Sequence, residues 1–152
     1  MNKIKDHIVL FIAQGAYSGR FPVAPGTAGT VVGVLLYLLL KGAAPGIYLA
    51  VCVLVAVLGT WAAGKAERLL GKKDSPSIVI DEIAGFLVSM LLVPGAWGYV
   101  TAAFFLFRFF DIAKPWPLFG LQRVPGGAGV MLDDLGAGIY TNVILQIAAR
   151  II

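Results

Sequence analysis

Ile83-Ala84-Gly85-Phe86-Leu87-Val88-Ser89-Met90-Leu91-Leu92-Val93-Pro94-Gly95-Ala96-Trp97-Gly98-Tyr99-Val100-Thr101-Ala102-Ala103-Phe104-Phe105-Leu106-Phe107 is a run of 25 residues without a charge. Asp81-Glu82 precedes it, and Arg108 with Asp111 follows. Read as one helix at about 1.5 Å per residue, it holds these two charge clusters roughly 40 Å apart, on opposite sides of a bilayer. Read as two helices turning at Val93-Pro94-Gly95, it returns both clusters to one side. Proline and glycine favour that turn, and each arm, counted from Pro76 or from Phe110, then spans nearly 30 Å. The hairpin is the expectation.

Moving outward, the chain continues as Arg108-Phe109-Phe110-Asp111-Ile112-Ala113-Lys114-Pro115-Trp116-Pro117. Arg108 and Asp111, three apart, share a helix face, and the prolines end that helix. On the other side, Ser75-Pro76 reads as a helix start, with serine as N-cap and proline at the first helical position. Asp81 and Glu82 would then lie near the end of the second turn, beyond the free N–H groups. Downstream, the glycines of residues 125–129 lead to Asp133-Asp134, either of which can cap a last apolar helix. Gly136, Ala137 and Gly138 let that helix pack closely on a neighbour.

Upstream, residues 1–14 read as an amphipathic helix on a membrane surface, and residues 15–30 as a loop rich in glycine and proline. Such a loop can bring backbone N–H groups to an anion, with Thr27 or Thr30 capping the next helix and offering a hydroxyl. It can equally be a plain turn feeding the first span. Spans are expected over Thr30–Leu40 and Pro45–Gly64, joined by a tight hairpin, and residues 65–74 read as a solvated loop.

With 59% hydrophobic and 13% charged residues, and a mean hydropathy of +0.90, the chain is too apolar for a soluble domain. Three of its uncharged runs reach the roughly 20 residues a spanning helix requires. The expected fold is therefore all-α: one domain over residues 1–152, a multi-helix bundle integral to a membrane, with about four to five apolar helices. Residues 8–13 are too short for the apolar part of a signal peptide, so none is expected. With its amino terminus inside, ten of the twelve basic residues fall on the cytoplasmic side, leaving Lys41 and Arg150 opposite, as the positive-inside rule requires. A net charge of +4 suits anionic headgroups. Nucleic acid is excluded as a partner, because the basic residues form no stripe.

One histidine, His7, and one cysteine, Cys52, exclude a disulfide framework and any multi-histidine site. Cys52 is no phosphatase nucleophile either, since Leu58 stands where such a loop needs arginine. Of the eight acidic residues, Asp81, Glu82, Asp111, Asp133 and Asp134 adjoin apolar helices at one level. Five gathered carboxylates call for a cation, and oxygen ligands alone suit Mg2+; pairing with Arg108 and Lys114 for stability is the plainer alternative. A metal beside arginine and lysine makes a phosphate site, and a lipid-facing groove makes the substrate a phospholipid with a terminal phosphate.

Four separated segments then carry a specific resemblance: residues 21–30, with Pro25-Gly26-Thr27; residues 78–85, with Asp81-Glu82; residues 107–117; and residues 127–138, with Asp133-Asp134. In them the chain resembles the phosphatidylglycerophosphatase A family across nearly its whole length. The resemblance implies a magnesium-dependent enzyme of phospholipid biosynthesis that hydrolyses phosphatidylglycerophosphate to phosphatidylglycerol. It implies a place in the bacterial inner membrane, with the site facing the cytoplasm. Asp81, Asp133 and Asp134 would hold Mg2+, with Glu82 or Asp111 as a further ligand or the base that activates water. Arg108, Lys114, Thr27 and Thr30 would hold phosphate. Arg20 and Gln122 depart from the family's pattern. A divalent-cation transporter or channel is the main rival, since buried carboxylates among helices also mark ion paths. A lipid phosphotransferase of the CDP-alcohol type would need a contiguous aspartate motif that is absent.

Overall fold

The computed structural model describes residues 3–151. The described residues are helical, with no strand among them: α1 (Lys3–Ala13), a 3-10 turn (Ser18–Arg20), α2 (Pro25–Leu40), α3 (Pro45–Leu70), α4 (Ile80–Ser89), α5 (Trp97–Ala113), α6 (Leu118–Leu121) and α7 (Gly127–Ile151). The all-α expectation holds. The ends of the expected surface helix and of the last helix, Met1-Asn2 and Ile152, lie outside the described residues.

The decisive stretch is two helices. α4 ends at Ser89, the chain turns through residues 90–96, where Leu92 takes a left-handed conformation (φ 58°), and α5 begins at Trp97. The turn is held by α7: Asn142 Nδ2 donates to Ser89 O and Leu91 O, and Gln146 Nε2 donates to Leu91 O. The last carbonyls of α4 therefore keep partners inside the protein.

The first arm is shorter than expected. α4 has 10 residues, about 15 Å, because the helix starts at Ile80 and not at Pro76. Residues 75–79 are drawn into tertiary bonds instead. Val79 N donates to Ala13 O at 2.9 Å, and Gln14 Nε2 donates to Ser77 Oγ at 3.2 Å. Asp81 and Glu82 consequently sit in the first turn of α4, next to its free N–H groups, and not in the second.

Three other boundaries differ. α2 starts at Pro25, so Thr27 and Thr30 are helical residues and neither is the N-cap, which is Ala24. α3 runs on to Leu70, since Lys65, Ala66, Glu67 and Arg68 are good helix formers and the apolar run simply continues into them. α7 begins at Gly127, so Asp133 and Asp134 lie inside the helix and cap nothing.

α4 is the centre of the bundle. Only Glu82 and Val88 in it escape full burial, and it packs against α2, α3, α5 and α7. Phe86, Leu87 and Phe107 form the core with Tyr37 and Tyr48. One crossing is backbone on backbone. A Cβ on Gly138 would lie 2.4 Å from Gly85 O, and one on Gly85 would lie 2.6 Å from Asp134 O. Small residues permit that contact.

α3 is long and apolar enough to cross a membrane, and is the one helix among the described residues that meets that test; α2 is apolar but shorter. The outer faces stay apolar, with Leu35, Leu39, Val53, Leu54, Val57, Phe105, Phe109 and Ile147 exposed. An apolar surface of this extent marks an interaction with lipid or protein.

Candidate active site

The crossing of α4 and α7 positions the acids. Asp81 lies one turn before Gly85, and Asp134 one turn before Gly138, so the close approach of the glycines carries both carboxylates inward. Asp81 and Asp134 are buried, 7% and 2% exposed. With Glu82 they form a group whose ligand oxygens lie within 4.8 Å of one another. The hairpin adds the end of α5. Arg108 Nη1 pairs with Asp111 on its own helix and lies 3.9 Å from Glu82 Oε1. Lys114, the left-handed C-cap of α5 (φ 42°), turns its Nζ onto Asp133 of α7. A non-glycine residue in that conformation is strained and is retained where the site fixes it.

All five acids and both cations expected at the site therefore meet at one end of the bundle. Within that end they sort into groups. Asp81 and Asp134 come together with Glu82 as the third member, while Asp133 faces Lys114. Asp111 lies between Arg108 and Asp134. Thr27 is half-buried in the first turn of α2. Thr30 is fully buried, and its hydroxyl donates to Gly26 O at 2.9 Å.

Gly26 is a site residue that sequence reasoning passed over. A Cβ there would lie 2.4 Å from Glu82 Oε1 and 3.1 Å from both terminal nitrogens of Arg108. The backbone of α2's first turn thus rests on the acid–arginine pair, bringing its unbonded N–H groups to the site. The signal was available in Pro25-Gly26-Thr27, a proline at the first helical position followed by the smallest residue. Arg20 belongs elsewhere: it donates to Gln14 Oε1 at 2.8 Å and stacks on Tyr17.

Burial pushes the Asp81 carboxyl well above the usual aspartate range, and the charges of Glu82 and Asp134 push it further. Asp134 is raised likewise, by burial first and then by Asp111, Glu82 and Asp133. Burial also raises Glu82, against opposing pulls from Asp81 hydrogen bonding and Arg108. Burial pulls the Lys114 ammonium down, but the hydrogen bond and charge of Asp133 more than offset this and raise it; burial raises the Asp133 carboxyl too, against the opposing pull of Lys114. These are carboxylates crowded beyond what two cations neutralise.

The residues fit a divalent cation. Asp81 Oδ1, Glu82 Oε2, Asp133 Oδ1 and Asp134 Oδ2 are buried without a hydrogen-bond partner, a costly condition unless something else satisfies them. In an octahedron with oxygens at about 2.1 Å, opposite ligands lie about 4.2 Å apart. The oxygens of the group, all within 4.8 Å of one another, are close to that span. The donor set is all oxygen, as hard cations prefer. Arg108 Nε, also buried and unpartnered, offers a donor beside it.

Known proteins resemble the chain along most of its length. The sequence profile described as phosphatidylglycerophosphatase A matches residues 11–149. A Bacteroides thetaiotaomicron protein named "Putative phosphatidylinositol-3-phosphatase" is 38% identical over 99% of both chains. Two proteins named phosphatidylglycerophosphatase A, from Haemophilus influenzae and Escherichia coli, are 39% and 34% identical over 88% of this chain and 84% and 79% of theirs. No solved structure matches it. A profile match across most of the chain and two relatives of one name lead to a single assignment: the chain belongs to the phosphatidylglycerophosphatase A family of phosphoric monoester hydrolases.

Proposed function

We propose that this chain removes the terminal phosphate of phosphatidylglycerophosphate, with Mg2+ held by Asp81, Glu82 and Asp134, and that it works at the cytoplasmic face of a bacterial inner membrane. The observation that carries the reading is the three-carboxylate group with its unpartnered buried oxygens, flanked by Arg108 and Lys114, in a family of lipid phosphatases. Bound there, Mg2+ supplies charge stabilisation at a phosphoryl oxygen and a more acidic water.

The chain's own residues do the rest. Arg108 holds phosphate oxygens through the donors that Asp111 and Glu82 leave free, and the N–H groups of Gly26 and Thr27 add neutral donors on the same side. Lys114 offsets negative charge at the transferring group, and Asp133 fixes its direction. Asp111, between Arg108 and Asp134, orients Arg108 and accepts the proton of the attacking water. Preorganised donors in a buried site act at full strength, because no solvent must be reorganised.

The apolar surface and α3 support membrane residence. The segments in the bilayer are residues 31–40, 45–64, the hairpin 83–107 and 135–151. The acids and their cations lie outside these, at headgroup level, where a lipid phosphate sits. A cation conduit has less support: the carboxylates gather at one end of the bundle, beside two fixed positive charges.

Phosphate release from phosphatidylglycerophosphate in detergent–lipid micelles tests the proposal. Turnover should require Mg2+, vanish with a chelator, and fall at least about 100-fold in Asp81→Asn and Asp134→Asn with the helical content kept. The same assay with phosphatidylinositol 3-phosphate ranks the headgroup for which the Bacteroides relative is named. Undiminished turnover in chelator would remove the metal from the mechanism.

A further inference from the structure

A second charged groove shares no residue with the acid cluster. It lies between α1 and the C-terminal end of α3, has a volume of about 440 Å³, and is lined by Lys5, Asp6, Ile8, Trp61, Lys65 and Arg68 among others. Its volume is in the range of small-ligand sites. Three cations face one acid, and none of the three pairs with a carboxylate among the described residues. Arg68 commits only Nε to its own helix, at Gly64 O. Beside these charges the wall is apolar and open, with Ile8 52% and Trp61 49% exposed.

The two halves of the groove ask for different things. Unpaired ammonium and guanidinium groups ask for an anion, whereas Ile8 and Trp61 ask for a hydrocarbon chain. A soluble phosphate would answer only the first, and a fatty chain only the second. A zwitterionic lipid brings its own cation into a groove that already carries an excess of two. Trp61 at the groove's edge suits the level where chains meet headgroups.

We infer that this groove binds an anionic phospholipid without a headgroup cation, its phosphate against Lys5, Lys65 and Arg68 and one chain along Ile8 and Trp61. The site is separate from the substrate's. It ties α1 to the membrane plane and gives the protein a preference for bilayers rich in lipid of the product's own charge class.

Trp61 reports on the site directly. Full-length protein with Trp97→Phe and Trp116→Phe is placed in vesicles containing chain-brominated phosphatidylglycerol or chain-brominated phosphatidylcholine at equal mole fraction, and quenching is compared. A companion protein retaining only Trp97 reads a distant face. Quenching at Trp61 should favour phosphatidylglycerol by at least about fivefold in relative affinity, the value expected from one basic contact, with a ratio near one at Trp97. Lys5→Ala/Lys65→Ala/Arg68→Ala should bring the Trp61 ratio to one, and Lys65→Glu/Arg68→Glu should reverse it. Equal quenching by both lipids at Trp61 in the otherwise unaltered protein overturns the inference, as does a preference that survives the triple substitution. Either result leaves the phosphatase reading intact, because Mg2+-dependent phosphate release is measured on the same samples.

Discussion

Gly138→Ala is the sharpest test of how the bundle builds its site. The added Cβ would lie 2.4 Å from Gly85 O, where ordinary contact begins at 3.4 Å, so α7 must retreat from α4 by about 1 Å. Backbone cannot swing aside as a side chain can. Asp134 rides on α7 one turn away, and Asp81 rides on α4. Mg2+ needs its oxygens at about 2.1 Å, with about 0.2 Å of tolerance, so a 1 Å separation of these helices exceeds what the ion absorbs. Misplacement on this scale costs about 100-fold in turnover, and overpacking costs about 1–3 kcal/mol of stability. The assay is phosphate release across a Mg2+ titration, paired with thermal unfolding of the same sample. The Mg2+ midpoint should rise together with the fall in turnover. Gly98→Ala is the control: nothing lies within 4 Å of its Cβ, so activity should hold and stability should gain up to about 1 kcal/mol. Parent turnover with parent Mg2+ dependence in Gly138→Ala would refute the coupling between helix crossing and acid cluster.

Stability without metal should depend on pH with a definite sign. Asp81 and Asp134 have raised folded pKa values, so the folded chain keeps protons that the unfolded chain releases near pH 4. Stability therefore falls as pH rises from there through the folded values; melting in chelator from pH 5 to 8 should show this slope, and Mg2+ should flatten it. A melting temperature that climbs with pH in chelator would contradict the crowding. Thr30→Val should keep turnover within about twofold, since its hydroxyl only bonds Gly26 O and the side chain is shielded from substrate; a larger kinetic loss would bring Thr30 back into phosphate binding. Asn142→Leu should leave the Ser89 carbonyl at the end of α4 unpaired, while Gln146 still serves Leu91 O, and cost about 1–3 kcal/mol, read as a lower unfolding midpoint. Lys114→Ala should lower turnover and loosen Asp133, whereas Lys114→Arg, still charged, should restore part of it in the same phosphate-release assay.

Much of this arrangement could be read from local chemistry. Pro94-Gly95 announced the turn, and the turn by itself dictated that Glu82 and Arg108 would meet. Pro115 announced the end of α5. The misreadings share one cause, tertiary contacts overriding local signals. Ser75-Pro76 has the form of a helix start, but Val79 N goes to Ala13 O, and a residue 66 positions away in sequence moves the start to Ile80. Gly127 and Gly129 read as a loop, yet each is a packing residue: a Cβ there would meet Thr60 O at 2.0 Å and Val124 O at 1.9 Å. Adjacent acids pose a harder problem. Asp133 and Asp134 point about 100° apart on a helix, and only the azimuth of α7 decides which one faces Asp81 and which faces Lys114.

The burial of α4 has a bearing on how the protein is made. A ten-residue helix enclosed by α2, α3, α5 and α7 is too short to be retained in a bilayer by itself, so it must wait for its neighbours as they leave the ribosome. Asp134 arrives on the last of them. With the proposed metal site, a chain cut before α7 would lack one of the three gathered carboxylates, so turnover would report that α7 has docked.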